Sequence, residues 1–412
     1  MIEAMVFRDA VALLGTELQP FLCEKIVVEK GVFSEIQPVR PVSEVAGCGL
    51  VLVPGLCNAH THVGDSPLQD GTDGLTLEEG FFRPHGYKYR ELGKMSEAVQ
   101  LPHLVEQLSF MVRTGTTMHI DFREQGVEGA KLLKKASAAA GIKSLILSQF
   151  QDSPLTEEQL LEDQAALREE VQSEFERMLD VADGFSESTM NDLTSVAWKW
   201  IQWATKRKGK LRAIHCLENE GYRNRSLEIA GKGDLQRAIE LYDPHLIVHL
   251  TVANDEEIEL LASSGKVAVL NPRANANLGL PLPPVAKLMK AGVPLLLGTD
   301  NVMLNAPNML AELDFTYKLA KSQFGDARGP SSTSILKMAT TNLSHVLPGI
   351  GEVGIGEGKT ADFFVVDFRN PRIAYTRNLV ASLVTRLYPE DVVLTVREGK
   401  VLYRNAAFES YS

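Results

Sequence analysis

Short apolar runs alternate with longer amphipathic stretches from Val51 to about Phe324. The short runs have the length of buried parallel strands, and the longer stretches repeat apolar residues at helical spacing. Strict alternation of strand and helix indicates a parallel sheet, and eight such units are typical of a closed (βα)8 barrel. The predicted strands are Val51–Leu56, Thr116–Ile120, Lys143–Gln149, Asp183–Ser186, Leu211–His215, His245–His249, Lys266–Asn271 and Pro294–Thr299.

A predicted helix falls between or after these strands in each unit. Thr156 and Gln159 have the spacing of a capping box at the start of one helix. An open doubly wound sheet is the alternative architecture, but Gly55 is not followed by a glycine-rich dinucleotide fingerprint. The predicted helices are Ser96–Arg113, Val127–Ala140, Thr156–Val181, Thr189–Lys208, Asp234–Tyr242, Asp255–Ser264, Pro284–Ala291 and Pro307–Lys321.

The two ends of the chain have a different pattern, with short strand-like runs separated by turn residues. Neither end is large enough to form a stable hydrophobic core alone, so we predict that the two ends combine into one small β-sandwich. The chain is therefore predicted to be an α/β protein with a composite β-sandwich domain, residues 1–55 and 346–412, and a (βα)8 barrel domain, residues 56–345. The strand-like runs are Lys25–Val32, Phe363–Asp367, Val392–Val396 and Lys400–Tyr403.

Composition narrows the class of protein. The net charge of −11 argues against a nucleic-acid partner, because such binders carry a basic footprint. No apolar run approaches the length of a membrane span, and the N-terminal residues do not have the pattern of a secretory signal. The cysteines form no Cys-x-x-Cys pair, which indicates free thiols in a reducing compartment. We expect a cytoplasmic protein that acts on a small molecule, and a homo-oligomer is compatible with the sequence.

Metal-binding side chains occur at the predicted carboxyl ends of four barrel strands. His60 and His62 follow the first strand, and alternate residues leaving a strand point to the same side. His215, His249 and Asp300 end the fifth, sixth and eighth strands. Catalytic groups of barrels lie at this end, and imidazoles with one carboxylate suit a catalytic Zn²⁺ or Fe²⁺. The pattern therefore predicts a metal centre.

These residues belong to motifs that resemble the amidohydrolase superfamily. The resemblance covers nearly the whole chain in order, and is closest to the branch with cytosine and guanine deaminases and triazine hydrolases. It implies a (βα)8 barrel with a split β-sandwich. The motifs are Val-Pro-Gly-Leu-Cys-Asn-Ala-His60-Thr-His62, His215-Cys-Leu-Glu218, His249, Asn271-Pro-Arg-Ala-Asn275, Leu-Gly-Thr-Asp300 and the tail Gly351–Asp362.

The resemblance implies a role for each residue. His60, His62, His215 and Asp300 would bind the metal, and Asp300 would also take a proton from a metal-activated water. Glu218 would protonate the ring nitrogen or leaving amine, while His249 orients the attacking hydroxide. Binuclear members use a modified lysine at the end of the fourth strand, and residues 181–188 contain no lysine. We therefore expect one divalent ion, Zn²⁺ in preference to Fe²⁺.

Substrate-binding residues and the reaction subtype follow less directly. Arg273 and Asn275, after the seventh strand, and Asp121, at the end of the second, are predicted to contact substrate, while the rest of His119–Glu124 either lines the pocket or is structural. His215-x-x-Glu218 favours deamination of an aminated heterocycle. Hydrolysis of a cyclic or N-acyl amide is the alternative, and a metal-free binding or scaffold protein on the same fold is the second.

Overall fold

The computed structural model describes residues 4–347, 350–406 and 408, and within them the central unit is a closed parallel barrel. The eighth strand is interrupted at Gly298 and Thr299, and its second part pairs with the first strand, which completes the ring. The predicted fold class is confirmed. The barrel strands are Leu56–His62, Thr116–Arg123, Lys143–Ser148, Gly184–Glu187, Leu211–Cys216, Leu246–His249, Val267–Leu270 and Leu295–Leu297 with Asp300–Asn301.

The prediction of the first barrel strand at Val51–Leu56 is wrong. Leu50–Pro54 is a strand of a second sheet, and the barrel strand begins only at Leu56. Leu50–Pro54 and the first residues of the barrel strand, Leu56 and Cys57, are all buried and mostly apolar, so hydrophobicity alone does not show where one strand ends and the next begins. The boundary is Gly55, where a Cβ atom would lie 2.2 Å from Thr117 Oγ1. His60 and His62 consequently lie within the first barrel strand rather than after it.

The second sheet is built from both ends of the chain. Its core contains Phe7 and Phe33 from the N-terminal part, both packed on Phe363 from the C-terminal part. The strands form one continuous ladder of seven, and Leu50–Pro54 lies near its centre. The exact domain division at residues 55 and 346 stays a prediction. In spatial order the strands are Lys400–Arg404, Val392–Arg397, Phe363–Asp367, Leu50–Pro54, Met5–Leu14, Gln19–Glu29 and Val32–Pro41.

Helices cover the outside of the barrel, and several of them differ from the prediction. The predicted helix Thr156–Val181 is two helices, Glu157–Glu162 and Glu169–Val181. The first ends at Asp163, which has a left-handed backbone and whose carboxylate accepts hydrogen bonds from Ser195. The capping box of Thr156 and Gln159 is confirmed. The predicted helix Thr189–Lys208 begins only at Ser195, after a 3₁₀ turn, and Glu220–Ala230 was not predicted.

The helices in the barrel region are Leu77–Phe81, Tyr87–Leu92, Glu97–Arg113, Gly126–Ala140, Glu157–Glu162, Glu169–Val181, Ser195–Arg207, Glu220–Ala230, Asp234–Arg237, Asp255–Ser264, Pro272–Asn277, Val285–Lys290, Met309–Phe324, Ser332–Lys337 and Asn342–Val346, and Leu379–Thr385 follows near the C-terminus. Short 3₁₀ turns occur at Val63–Leu68, Met190–Asp192 and Pro389–Asp391, and a π-helical turn at Ala238–Tyr242. Among the described helices, none has the length and apolar character needed to cross a bilayer. The cytoplasmic location stays a prediction.

The connection from the first barrel strand to its helix is long and positions the site. It runs from Val63 to Ser96 and contains two short helices, Leu77–Phe81 and Tyr87–Leu92. We call residues 77–92 the roof segment, because its side chains cover the carboxyl end of the barrel.

Candidate active site

The barrel brings the four predicted metal ligands and His249 together at the carboxyl ends of its strands. Asp300 Oδ1 lies 3.1 Å from His60 Nε2 and 3.7 Å from His62 Nε2. The His215 ring lies 5.0 Å from that of His60 and 5.2 Å from that of His249, between centroids. All five residues are buried. The carboxyl ends of the parallel barrel strands lie in one layer, which explains why these side chains converge.

Two overlapping sets of these side chains could hold one ion. Ligand atoms lie within 4.8 Å of one another in the set His60, His215 and His249, and likewise in the set His60, His62 and Asp300. Burial lowers the pKa of His60 to about 3 and that of His215 well below its usual value. These imidazoles are therefore neutral at neutral pH, and neutral nitrogen is the form that binds metal.

Hydrogen bonds orient two of the imidazoles. His62 Nδ1 lies 2.8 Å from Glu124 Oε1, and His215 Nδ1 lies 3.0 Å from the backbone oxygen of Glu187. Both partners are acceptors, so Nδ1 of each ring carries the hydrogen and Nε2 keeps its lone pair. Metal-binding histidines commonly make this contact to a carboxylate or backbone carbonyl. The donor set and its hydrogen bonds therefore fit a divalent ion.

The His249 ring is in the other tautomer. The amide nitrogen of Asn275 lies 3.1 Å from His249 Nδ1, and an amide nitrogen can only donate. His249 Nε2 then carries the hydrogen, 3.6 Å from Glu218 Oε1 and 4.0 Å from Asp300 Oδ2. In this tautomer His249 presents a hydrogen-bond donor toward the site. His249 and Asp300 both have left-handed backbones, a strained state that is concentrated at functional sites.

Glu218 is a buried acid beside these groups. Burial, followed by the nearby Asp300 carboxylate, raises the pKa of Glu218 to about 8. The protonated form therefore predominates at neutral pH. Asp300 behaves differently, because burial opposes its ionisation but His60 and the other imidazoles outweigh that effect and keep its pKa low. The site thus contains one proton donor and one proton acceptor.

The side chains surround a small cavity of about 40 Å³. Residues of the roof segment and Tyr222 close it from above, and Phe81, Ser188 and Tyr222 separate it from a neighbouring cavity of about 630 Å³. Ligand pockets are usually ~300–1,000 Å³, so a heterocycle requires movement of this wall or of the roof. The lining residues are His62, Leu77, Phe81, Lys88, Tyr89, Ser188, His215, Glu218, Tyr222, His249, Asp300 and Asn301.

The three residues predicted to bind substrate are not among the described residues that line this cavity. Asp121 Oδ2 accepts hydrogen bonds from Thr61 Oγ1 and the backbone N–H of Val63, both at 2.8 Å. Asn275 supports His249. The Arg273 guanidinium lies 3.6 Å from the buried carboxyl of Glu312. Substrate contact by these residues stays a prediction.

Lys88 is a charged group lining the cavity that the sequence analysis did not identify. It lies on the roof segment with an exposed fraction of 2%, ion-paired with Glu124 and 3.7 Å from Asp65 Oδ2. Before the fold is known, a lysine on a short loop helix has the signature of a surface residue. The polar residues of His119–Glu124 have two different roles. Glu124 hydrogen-bonds His62 in the site, while His119 hydrogen-bonds Thr61 and Ser144 inside the barrel wall.

A parallel barrel with histidines and an aspartate at its carboxyl end, beside a buried acid, defines the class of metal-dependent barrel hydrolases. The model of the amidohydrolase family matches residues 51–402. A putative aminohydrolase of Methanothermobacter thermautotrophicus is 32% identical over 97% of this chain and 99% of its own length. The chain therefore belongs to the amidohydrolase family, as the sequence motifs predicted, and is a hydrolase.

Further similarities extend over most of the chain. A 5-methylthioadenosine/S-adenosylhomocysteine deaminase of Caldicellulosiruptor saccharolyticus is 27% identical over 92% of this chain and 88% of its own length. Among solved structures, an adenosine deaminase from Xanthomonas campestris with bound zinc superposes with a TM-score of 0.82, at 21% identity, over 95% of this chain and 92% of that one. The latter similarity supports the fold.

Proposed function

We propose that this chain is an aminohydrolase that uses one divalent ion, Zn²⁺ in preference to Fe²⁺, to deaminate an aminated heterocycle. The observation that carries the proposal is Glu218, a buried and protonated carboxyl three residues beyond His215 and 3.6 Å from His249 Nε2. Deamination needs an acid that converts an amine into a leaving ammonia. The deaminase names of the relatives support the same reaction.

His60, His62, His215 and Asp300 would hold the ion. Such an ion supplies a nucleophile by lowering the pKa of a bound water from ~15.7 toward ~7. The hydrogen bonds of His62 and His215 leave their Nε2 atoms free for this role, whereas His249 presents a hydrogen. We therefore assign His249 to substrate chemistry rather than to ion binding.

The protein groups divide the proton transfers between them. The Asp300 carboxylate, held ionised by its imidazole neighbours, accepts a proton from the attacking water. Glu218 delivers its own proton to the ring nitrogen or the leaving amine. The N–H of His249 donates to the oxygen on which negative charge develops, and a fixed donor in a dry site is effective at this task. The roof segment excludes bulk water.

A single ion is favoured by the residues at the end of the fourth strand. Glu187 occupies that end, and its carboxylate is ion-paired with Arg83 and accepts a hydrogen bond from the backbone N–H of Phe150. Lys88, which lines the cavity, is ion-paired with Glu124 and so is not available as a bridging ligand. Metal titration should therefore saturate near one equivalent without bicarbonate; two ions, both needed for turnover, would contradict this.

The experiment that tests the function is ammonia release from a panel of aminated purines, pyrimidines and triazines. Protein stripped with a chelator and protein reconstituted with Zn²⁺ are assayed in parallel, with cyclic and N-acyl amides as the second panel. We expect metal-dependent ammonia release from at least one heterocycle. Turnover of amides alone would favour the alternative hydrolase, and a wild-type protein that binds no metal would favour a scaffold.

A further inference from the structure

The roof segment contributes two cations, the buried Lys88 and the half-buried Arg83, and each contacts a residue that supports a proposed metal ligand. Lys88 is ion-paired with Glu124, whose carboxylate hydrogen-bonds His62. Arg83 is ion-paired with Glu187, whose backbone oxygen hydrogen-bonds His215. Glu124 directly follows the second barrel strand, and Glu187 ends the fourth. The same two glutamates thus face the roof on one side and the imidazoles on the other.

The Lys88 contact is the more direct of the two, because one carboxylate group serves both partners. Glu124 Oε1 is the atom that contacts His62 Nδ1, and it is also the atom nearest Lys88 Nζ. Glu124 has a second cation available, since Arg123 Nη1 lies 3.2 Å from Glu124 Oε2. Without Lys88, the carboxylate would be drawn toward Arg123 and away from His62.

We propose that Lys88 is a positioning residue for the metal centre: it fixes Glu124, which orients His62, so that docking of the roof segment is part of assembling the ion-binding site. This inference rests on the proposed metal site but not on the identity of the substrate. It also gives the roof segment a function beyond covering the cavity. A site that binds its ion fully only when the roof is docked holds the reactive metal away from bulk solvent.

The sign of the effect distinguishes this role from a simple charge effect. A lysine that acted only through its charge would repel a bound cation, and Lys88→Met would then tighten metal binding. A lysine that holds Glu124 in place has the opposite effect, because loss of a group that orients a ligand typically costs ~10–100-fold in metal affinity. We expect the Zn²⁺ dissociation constant of Lys88→Met to rise about tenfold.

The test is a double-mutant cycle on the full-length protein, with Zn²⁺ affinity measured by competition with a chromophoric chelator and no substrate present. Glu124→Gln alone should also weaken binding, and Lys88→Met should add less than about twofold in that background, since residues acting through one another are not additive. Lys94→Met is the matched control, because Lys94 lies just beyond the roof segment, exposed and paired with Glu91.

Hydrogen–deuterium exchange over residues 77–92 supplies a second readout and a check on folding. We expect Zn²⁺ to slow exchange in the wild type and in Lys94→Met, but not in Lys88→Met, while residues of the barrel strands stay protected in all three. Unchanged or tighter Zn²⁺ binding by a folded Lys88→Met variant would overturn the proposal, as would full additivity with Glu124→Gln. If the wild type itself binds no Zn²⁺, the proposed function fails first.

Discussion

The strand ends and the roof segment contribute to one site by different physical means. At the strand ends, the backbone ladder of the barrel fixes each side chain, and the pairing of Asp300 with Thr61 places the eighth strand beside the first. In the roof segment, two short helices are held by ion pairs from Arg83 and Lys88. In the proposed function the strand ends perform the chemistry, and in the further inference the roof segment organises it. Each prediction below tests that division.

The largest effect is expected for the strand-end ligands. Asp300→Ala removes a carboxylate ligand of the proposed ion, and His60→Ala removes a nitrogen ligand. Either variant should therefore lose most of the metal and essentially all turnover. The His249→Ala variant should retain more metal, because Nε2 of His249 carries a hydrogen in the wild type and is therefore not expected to bind the ion. Elemental analysis alongside activity measures both. A ligand variant with full metal content and full activity would contradict the assignment, and metal loss in His249→Ala equal to that of His60→Ala would favour the other ligand set.

Glu218→Gln should lower kcat by at least about two orders of magnitude while metal content and fold are retained, since a general acid typically contributes ~10²–10⁴-fold. The glutamine keeps the size and hydrogen-bonding reach of the side chain but cannot release a proton. Steady-state kinetics with metal analysis measures this. Glu220→Gln, on an exposed neighbour that pairs with Arg223, is the matched control. A loss within a few-fold would return Glu218 to the status of an ordinary loop acid.

The pH profile should have an alkaline limb set by the same carboxyl. Burial raises the pKa of Glu218 to about 8, so the acid form required for proton donation is present below that value and is lost as pH rises through it. We expect kcat/KM of the wild type to fall above about pH 8, by about tenfold per unit well beyond the pKa, because kcat/KM reports the ionisation of the free enzyme. The residual rate of Glu218→Gln should lack this limb. A wild-type rate constant that stays flat to pH 10 would contradict the role.

The smallest effect is expected for Arg273, whose proposed contact with substrate competes with a structural role. Its partner Glu312 is fully buried, and burial raises the pKa of that carboxyl to about 8 although Arg273 opposes the shift. If the structural role dominates, Arg273→Met should lower Tm and change KM equally for anionic and neutral substrates. A selective rise in KM for the anionic substrate would place Arg273 in the pocket. Arg328→Met, on an exposed arginine, is the control.

The same contrast explains how much of the site could be predicted. His60, His62, His215, His249 and Asp300 were identifiable because strand order and the carboxyl-end rule fix where they converge. Lys88 was not, because it lies on a short helix in the connection after the first barrel strand, and its burial depends on Glu124, 36 residues further along the chain. Gly55 shows a further limit. An apolar strand that is followed, after one glycine, by the apolar start of the next has the pattern of a single strand, although the two belong to different sheets.

That junction at Gly55 has a consequence for the timing of folding during synthesis. Leu50–Pro54 pairs on one side with Met5–Leu14 and on the other with Phe363–Asp367, which leaves the ribosome long after the barrel residues. The strand that carries His60 and His62 therefore extends from a sheet that stays half-built until translation has passed residue 367. We expect nascent chains arrested before Phe363 to bind Zn²⁺ more weakly than chains arrested well beyond Arg404, and equal affinity at both lengths would show that the barrel matures alone.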